Sequence, residues 1–288
     1  MLIATLSDLH GIRSRFEKAR RLVDEGIKAL LLGGDIAQNG PPEFQQANVR
    51  ACFDILLSGK RDVRIFAIPG NDDWKIVEDT MREIPGVIVP TDRACPLDDA
   101  FFIIGYPYVP VTPFLFKDYE KWDDDRYPEM PADPAGLESA MIAHRLNLEG
   151  YRTRGLDRYE FRFDPGDRKD NIFADMKKLA GLSDPQKTVY LFHCPPFGFF
   201  DFGMGIGSGT GGRVHIGSRS IAEFIRKNDP WLTIHGHSHE AVSEMKGEFT
   251  FSVGGNSVGV AVGPGNDPAV LNGVVIDVAS RSLRRITL

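Results

Sequence analysis

Cysteine is scarce and scattered: Cys52, Cys95 and Cys194 are the three in 288 residues. An odd, widely spaced set excludes a disulfide framework and gives no zinc-finger spacing. Long apolar runs are also missing, and none approaches the ~18 residues that a membrane-spanning helix needs. There is no basic excess either, because 34 Lys and Arg face 40 Asp and Glu for a formal charge of −6. A general nucleic-acid binder would show a basic footprint instead. Internal repeats and low-complexity tracts are absent. Met1 to Leu6 runs straight into Ser7-Asp8-Leu9-His10 with no basic segment and no cleavage site, so it reads as a buried first strand and not as a signal peptide. A cytoplasmic protein is the expectation. What is present, 42% hydrophobic and 26% charged residues, is the composition of a globular chain of one large or two smaller domains.

Apolar runs alternate with helical patterns through the first hundred residues. Phe16, Ala19, Val23 and Ile27 share one helical face, and Ala29 to Leu32 is a strand ending at Gly33-Gly34-Asp35. A second helix is expected from near Pro42 to before Gly59, and Val63 to Ile68 leads into Pro69-Gly70-Asn71-Asp72. Such alternation indicates β-α-β units and a largely parallel sheet. Residues 106–170 break the pattern. A helix over about Leu137 to Leu148 and a strand through Tyr159, Phe161 and Phe163 suggest an inserted cap or lid with its own elements, since a structureless loop of that length is unusual. The core pattern resumes with a helix over Asn171 to Leu179 and a strand from Thr188 to Phe192. Then come a glycine-rich loop from Phe197 to Gly217, a helix from about Ser218 to Lys227, and a strand from Trp231 to Ile234. Ser220 with Glu223 has capping-box spacing, which would start that helix slightly later. The last ~45 residues alternate in strand fashion, with a hairpin turn over Asp277 to Leu283.

Five strand ends carry chemistry: Asp8-x-His10, Gly34-Asp35, Gly70-Asn71-Asp72-Asp73, His193 and Gly236-His237-Ser238-His239. Singly each is weak, because Gly-Asp and Gly-Asn pairs are commonly turns. Together they place imidazoles, carboxylates and one amide at the carboxyl ends of strands, where open α/β sheets build their sites. That donor set, without thiolate, suits Mn, Fe, Zn, Co or Ni. It offers more ligands than one ion needs, and a carboxylate can bridge two ions about 3.5–4 Å apart.

In this order and spacing the motifs resemble those of the calcineurin-like metallophosphoesterase superfamily, over about residues 1–240. The segments His193-Cys194-Pro195-Pro196-Phe197-Gly198 and His215-Ile216-Gly217-Ser218, with Glu240 after the last motif, look most like the prokaryotic Icc-like phosphoesterases. The resemblance implies a four-layer α/β/β/α sandwich of two mixed sheets forming one domain over residues 1–288, with residues 106–170 inserted in it. It also implies two divalent or trivalent metal ions. Asp8, His10 and His239 would hold one and Asn71, His193 and His237 the other, with Asp35 bridging both. A bridging water, acidified to hydroxide, would then attack phosphorus in line.

One position departs from the pattern. Many members carry His directly after the third-motif Asn, where it assists the leaving group, but here Asp72 stands there. A carboxylate is a poor acid at neutral pH unless burial or a nearby anion raises its pKa. The expectation is therefore a small phosphorylated substrate, a phosphodiester or one with an activated leaving group, with Asp35 and Asp72 as catalytic carboxylates. Asn71 and His215 are candidate substrate contacts, the latter because it precedes a helix N-terminus that favours anions. Arg213 and Arg219 are weaker candidates. The second motif continues Ile36-Ala37-Gln38, unlike protein Ser/Thr phosphatases. Pyrophosphatases and nucleotidases of the superfamily are the alternative enzyme reading. A non-catalytic scaffold would have lost ligands, and here every ligand position is filled. His235 is expected to point to the opposite face from His237, His144 to lie on a helix surface, and Cys194 to be a small buried residue.

Overall fold

The computed structural model describes residues 1–59, 63–126, 128, 131, 133–144, 146–204, 213–265, 267 and 269–288. From the N-terminus, β1 (Leu2–Leu6) leads through α1 (Arg13–Asp24) to β2 (Ala29–Gly33). The chain continues through α2 (Pro42–Leu57) to β3 (Arg64–Ile68), and through α3 (Lys75–Glu83) to β4 (Val87–Ile88). The chain then crosses to a second sheet with β5 (Cys95–Pro96) and β6 (Phe102–Tyr106). There follow β7 (Val109–Pro110), β8 (Glu120–Lys121), α4 (Pro134–His144), β9 (Glu149–Arg154) and β10 (Asp157–Arg162). α5 (Ile172–Leu179) and β11 (Thr188–Phe192) return to the second sheet, followed by β12 (Phe202–Met204), β13 (Arg213–His215), α6 (Arg219–Asn228) and β14 (Leu232–His235). Finally α7 (Ala241–Glu244), β15 (Thr250–Phe251) and β16 (Val258–Ala261) precede β17 (Asn272–Asp277) and β18 (Ser282–Thr287).

The first sheet has the order β18-β17-β1-β2-β3-β4 and the second β15-β16-β14-β11-β6-β5. β1 to β4 run parallel, as do β6, β11, β14 and β16, and antiparallel strands close the remaining edges. Both sheets are thus mixed. Side chains alternate across each strand, and both faces of the inner strands are apolar. Ile3, Leu31 and Phe66 meet Ile103, Leu191 and Ile234 between the sheets. Their neighbours Leu30, Leu32 and Ile65 pack on Phe16 of α1, Val49 and Phe53 of α2, and Val77 of α3. Ile104, Tyr190 and Phe192 turn the other way, onto Met176 of α5 and Ile221 and Phe224 of α6. Helices therefore cover both outer faces, the expected four-layer α/β/β/α sandwich. No helix among the described residues is long and apolar enough to cross a membrane.

Several local expectations shift. Ile27 lies beyond the end of α1 yet joins its core. α4 covers Pro134–His144, ending before the expected Leu148, which instead packs with Val111, Trp122 and Phe163 in a small separate core. β9, the partner of β10, has no sequence signal because it buries only Gly150 and Thr153. α6 begins directly after Ser218, whose side chain accepts from the Ile221 N–H, so the capping-box alternative at Ser220 is not used. Of the glycine-rich loop, residues 205–212 lie outside the described residues, as does the side chain of Arg213.

The 106–170 segment is tied to the body through Glu78 of α3. The buried carboxylate accepts from Tyr119 Oη at 2.8 Å, from Thr91 and Arg82 at 2.6 Å each, and from Lys75. Burial alone would raise its pKa, but Lys75 and these donors together bring it down to about 2. Its folded pKa is below the usual 4.5, so the stabilisation is complete above pH 4.5 and is lost as pH falls toward 2. The shift corresponds to about 3 kcal/mol at most. Glu78→Gln is expected to lower unfolding stability at pH 7 by ~2–3 kcal/mol in urea titrations. A change under ~0.5 kcal/mol would mean that the cluster contributes little.

Candidate metal centre

Every strand that delivers a motif ends at the same rim. Asp8 and His10 follow β1, Asp35 follows β2, Asn71 follows β3, His193 follows β11, and His237 and His239 follow β14. Backbone hydrogen bonds lace these ends together: Asp8 N–H to the Gly34 carbonyl at 3.0 Å, His10 N–H to that of Asp35 at 2.8 Å, and Gly236 N–H to that of His193 at 3.0 Å. Asp8, His10, Asp35 and His237 all adopt left-handed backbone, with φ of 56°, 49°, 48° and 65°. Such conformations cost roughly 1–3 kcal/mol each and persist where surrounding structure over-determines them. The motif glycines are required by space. A Cβ on Gly70 would strike the Asp35 carboxylate and His193, and one on Gly236 would strike Ser7 and Asp8.

The side chains converge in two groups around Asp35. On one side Asp8, His10, Asp35 and His239 each present a ligand atom, all within 4.8 Å of one another. His10 Nε2 lies 3.1 Å from His239 Nε2, and His239 Nε2 lies 3.4 Å from Asp8 Oδ1. On the other side His193 Nδ1 donates to the Gly33 carbonyl at 2.8 Å, which turns Nε2 toward Asn71 Oδ1 at 3.0 Å. Asn71 Nδ2 donates to Asp72 Oδ1 at 2.9 Å, so its oxygen is the atom that faces His193. The ring of His237 stands edge-on to that of His193, 5.2 Å between centroids. Asp35 sends Oδ1 to within 3.4 Å of His193 Nε2 and Oδ2 to within 4.0 Å of His10 Nε2.

These contacts fit cations. Two lone-pair acceptors face each other at His10 and His239, and again at His193 and Asn71, so a proton or a positive ion must lie between them. Protons fill that role in the metal-free protein. Burial disfavours a charged His193, but Asp35 outweighs it and raises the pKa to about 10. His239 rises to about 9 through its contact with Asp8, again against burial. His237, pushed by burial and by His193, falls to about 3 and stays neutral. Asp35 is held far below the carboxylate range despite its burial, mainly by His193. Burial, then Asp35 and Asp73, raise Asp72 well above it.

All seven residues expected as ligands come together here, and Asp72 stands beside them with Oδ2 3.9 Å from His10 Nδ1. Two further residues support the site, Arg15 with no motif to announce it and Asp73 at the end of the third motif. Buried Arg15 of α1 donates to the Asp8 carbonyl at 2.8 Å. Buried Asp73 accepts from the backbone N–H groups of Ile36 and Gly70 at 2.9 Å and of Ala37 at 2.8 Å, joining the loops after β2 and β3. Burial raises Asp73 to about 7, with Asp35 adding to it. His235 turns away as expected, Nδ1 donating to the Cys194 carbonyl at 2.8 Å, and Cys194 is fully buried. His144 is exposed at the end of α4 and lines the adjoining cavity.

The helix N-terminus near His215 is not open to an anion. The N-terminus of α6 is already filled by Asp123, which accepts from Ser218 Oγ and from the Arg219 N–H at 2.8 Å. His215 lies instead at the end of β13 and lines a cavity of about 570 Å³ together with Asp35, Asn71, Asp72, His237 and His239. Arg219 sits over the ring of Phe197, 4.7 Å from its centroid.

Two stacked mixed sheets that bring imidazole, carboxylate and amide donors to one rim belong to a metal-dependent hydrolase. The chain is a member of the calcineurin-like phosphoesterase family, whose model matches residues 1–241. Its fold is similar to that of TT1561 from Thermus thermophilus, at 16% identity and a TM-score of 0.56, over 99% of this chain and 97% of that one. A dimetal phosphatase from Danio rerio aligns over 96% of this chain and 91% of its own, at 10% identity and a TM-score of 0.46. No curated protein matches the chain by sequence.

Proposed function

We propose that the protein hydrolyses phosphodiesters with two metal ions held at this rim. Asp8, His10 and His239 would hold one and Asn71, His193 and His237 the other, with Asp35 shared. The observation that carries this reading is Asp35 itself, with one oxygen toward each group. The nitrogen and oxygen donors suit Mn, Fe, Zn, Co or Ni. Bound there, two cations would acidify an attacking water and offset charge on the phosphoryl oxygens. Asp72 orients Asn71 through its amide, and Asn71 is thereby a ligand and a neighbour of the substrate.

The cavity is lined by these polar residues and also by apolar Val111, Phe114, Trp122, Leu146 and Phe197. A small phosphorylated substrate with an apolar ester group would suit such a lining. Four of these five apolar residues come from residues 106–170, which supports reading that segment as a cap. The buried pair Lys117–Glu120, 2.8 Å apart, fixes Thr112 in the cavity wall, with Glu120 accepting from the Thr112 N–H at 3.0 Å.

Asp72 stands where many members of the family carry an imidazole, and, ionised beside bound cations, it would repel the second negative charge of a phosphomonoester. A diester carries one charge and a monoester two, and an added charge ~4 Å from a carboxylate costs about 1 kcal/mol in water and about 4 at an effective dielectric constant of 20. With Mn²⁺ supplied, kcat/KM for bis(4-nitrophenyl) phosphate is expected to exceed that for 4-nitrophenyl phosphate by ~10-fold or more. The reverse order would make the protein a monoesterase. Faster cleavage of a pyrophosphate than of either ester would favour the pyrophosphatase reading.

A further inference from the structure

Hydrolysis of an unactivated diester needs a proton for the departing oxygen, and the carboxylate next to Asn71, that of Asp72, is engaged by the Asn71 amide at 2.9 Å. We propose that His215 is that proton donor, held in place by Asp201. This rests on the diesterase reading above. His215 Nδ1 donates to Asp201 Oδ1 at 2.8 Å. Asp201 is fully buried and its other oxygen is fixed by the N–H groups of Gly198 at 3.0 Å and Gly217 at 3.3 Å. The imidazole also contacts two aromatic rings, with centroids 5.0 Å from Phe197 and 4.8 Å from Phe202.

With Nδ1–H committed to the buried Asp201 carboxylate, the ring can give a proton only at Nε2 and only as the imidazolium, oriented as a buried carboxylate orients a catalytic histidine. Nε2 has no hydrogen-bond partner among the described residues, and His215 lines the same cavity as Asp35 and Asn71. Asp201 is at its Nδ1 and Arg219 lies on Phe197, and the titratable groups lining the same cavity are Asp35, Asp72, Asp123, His144, His237, His239 and Glu240. In the step, a water oxygen bonds to phosphorus and releases its proton to solvent. The bond from phosphorus to the leaving oxygen breaks and its electron pair stays on that oxygen. The oxygen takes the Nε2 proton of the His215 imidazolium, leaving the neutral ring protonated at Nδ1, and a proton from solvent restores the imidazolium. His215 is then a catalytic residue and Asp201 a positioning residue.

The test compares diphenyl phosphate with bis(4-nitrophenyl) phosphate on Mn²⁺-loaded protein. Nitrophenolate departs without a proton, whereas phenolate gains from one. His215→Ala is expected to lower kcat on diphenyl phosphate by ~10²–10⁴-fold and on the nitrophenyl diester by under ~10-fold. The alkaline fall of kcat on diphenyl phosphate should vanish in His215→Ala. Asp201→Asn should show the same selectivity between the two esters with metal content unchanged. His215 is exposed, so its variant keeps the test valid even where the buried Asp201 variant misfolds. An equal loss on both esters, or no loss, in His215→Ala overturns the proton donor alone. Cleavage of neither ester by the wild-type protein overturns the diesterase reading and the proton donor with it.

Discussion

Asp35→Asn is expected to lower diester turnover by ~10³-fold or more and to remove both metal ions together, with the fold intact. The carboxylate sends Oδ1 toward His193 and Oδ2 toward His10, so it is the one side chain common to both groups. An amide keeps one oxygen and replaces the other with an NH₂ that points its hydrogens at a cation position. It also removes the negative charge that both ions share. The fold should tolerate the change. Asn is nearly isosteric, accepts the left-handed backbone at this position (φ 48°), and its oxygen can still receive the Asp72 N–H now bonded at 2.9 Å. Thermal unfolding and metal analysis on the same sample separate the possibilities. Full turnover in the variant would contradict a shared ligand, and loss of stability alone would make Asp35 structural.

Metal affinity should rise steeply with pH. In the metal-free protein His193 titrates near 10 and His239 near 9, so both are protonated at neutral pH. A cation binds neutral imidazole and must displace those protons, one on each side of Asp35. Apparent affinity for each ion should then increase ~10-fold per pH unit, about 10²-fold between pH 7 and 9. His237 is already neutral and adds no such dependence. The same groups have an opposite effect on the metal-free fold. Their folded pKa values exceed the unfolded 6.5, so the stability they contribute is present below pH 6.5 and disappears as pH rises through 9 to 10. Calorimetric Mn²⁺ titrations in buffers of different ionisation heat should reveal about one proton released per ion at pH 7. A pH-independent affinity without proton release would remove the protonated pair from the account.

The site was more legible in the sequence than its support was. Strands such as Ala29 to Gly33 are apolar on both faces because they lie between a sheet and a helix layer. A buried strand must end where polar residues begin, so Asp35, Asn71, His193 and His237 announced themselves by position. The order of the motifs then made the sandwich recognisable. Asp123 and Asp201 did not stand out, nor did the supporting role of Asp73 at the end of the third motif, since each satisfies backbone N–H groups brought close only by the fold: the start of α6, the turn at Gly217, and the loop at Ile36. No spacing rule reports such contacts. α3 went unread because it starts straight after the third motif, with Trp74 as an N-cap that makes no side-chain cap bond. β9 was hidden for a different reason. A strand paired only with its hairpin partner has little apolar surface to bury, and so no alternation to read.

The central claim is that two cations share Asp35. Anomalous diffraction from crystals soaked in Mn²⁺ tests it most directly. Two peaks about 3.5–4 Å apart are expected, one beside Asp8, His10 and His239 and the other beside Asn71, His193 and His237, with the Asp35 carboxylate between them. A single peak on one side of Asp35, or none at this rim, would contradict the account.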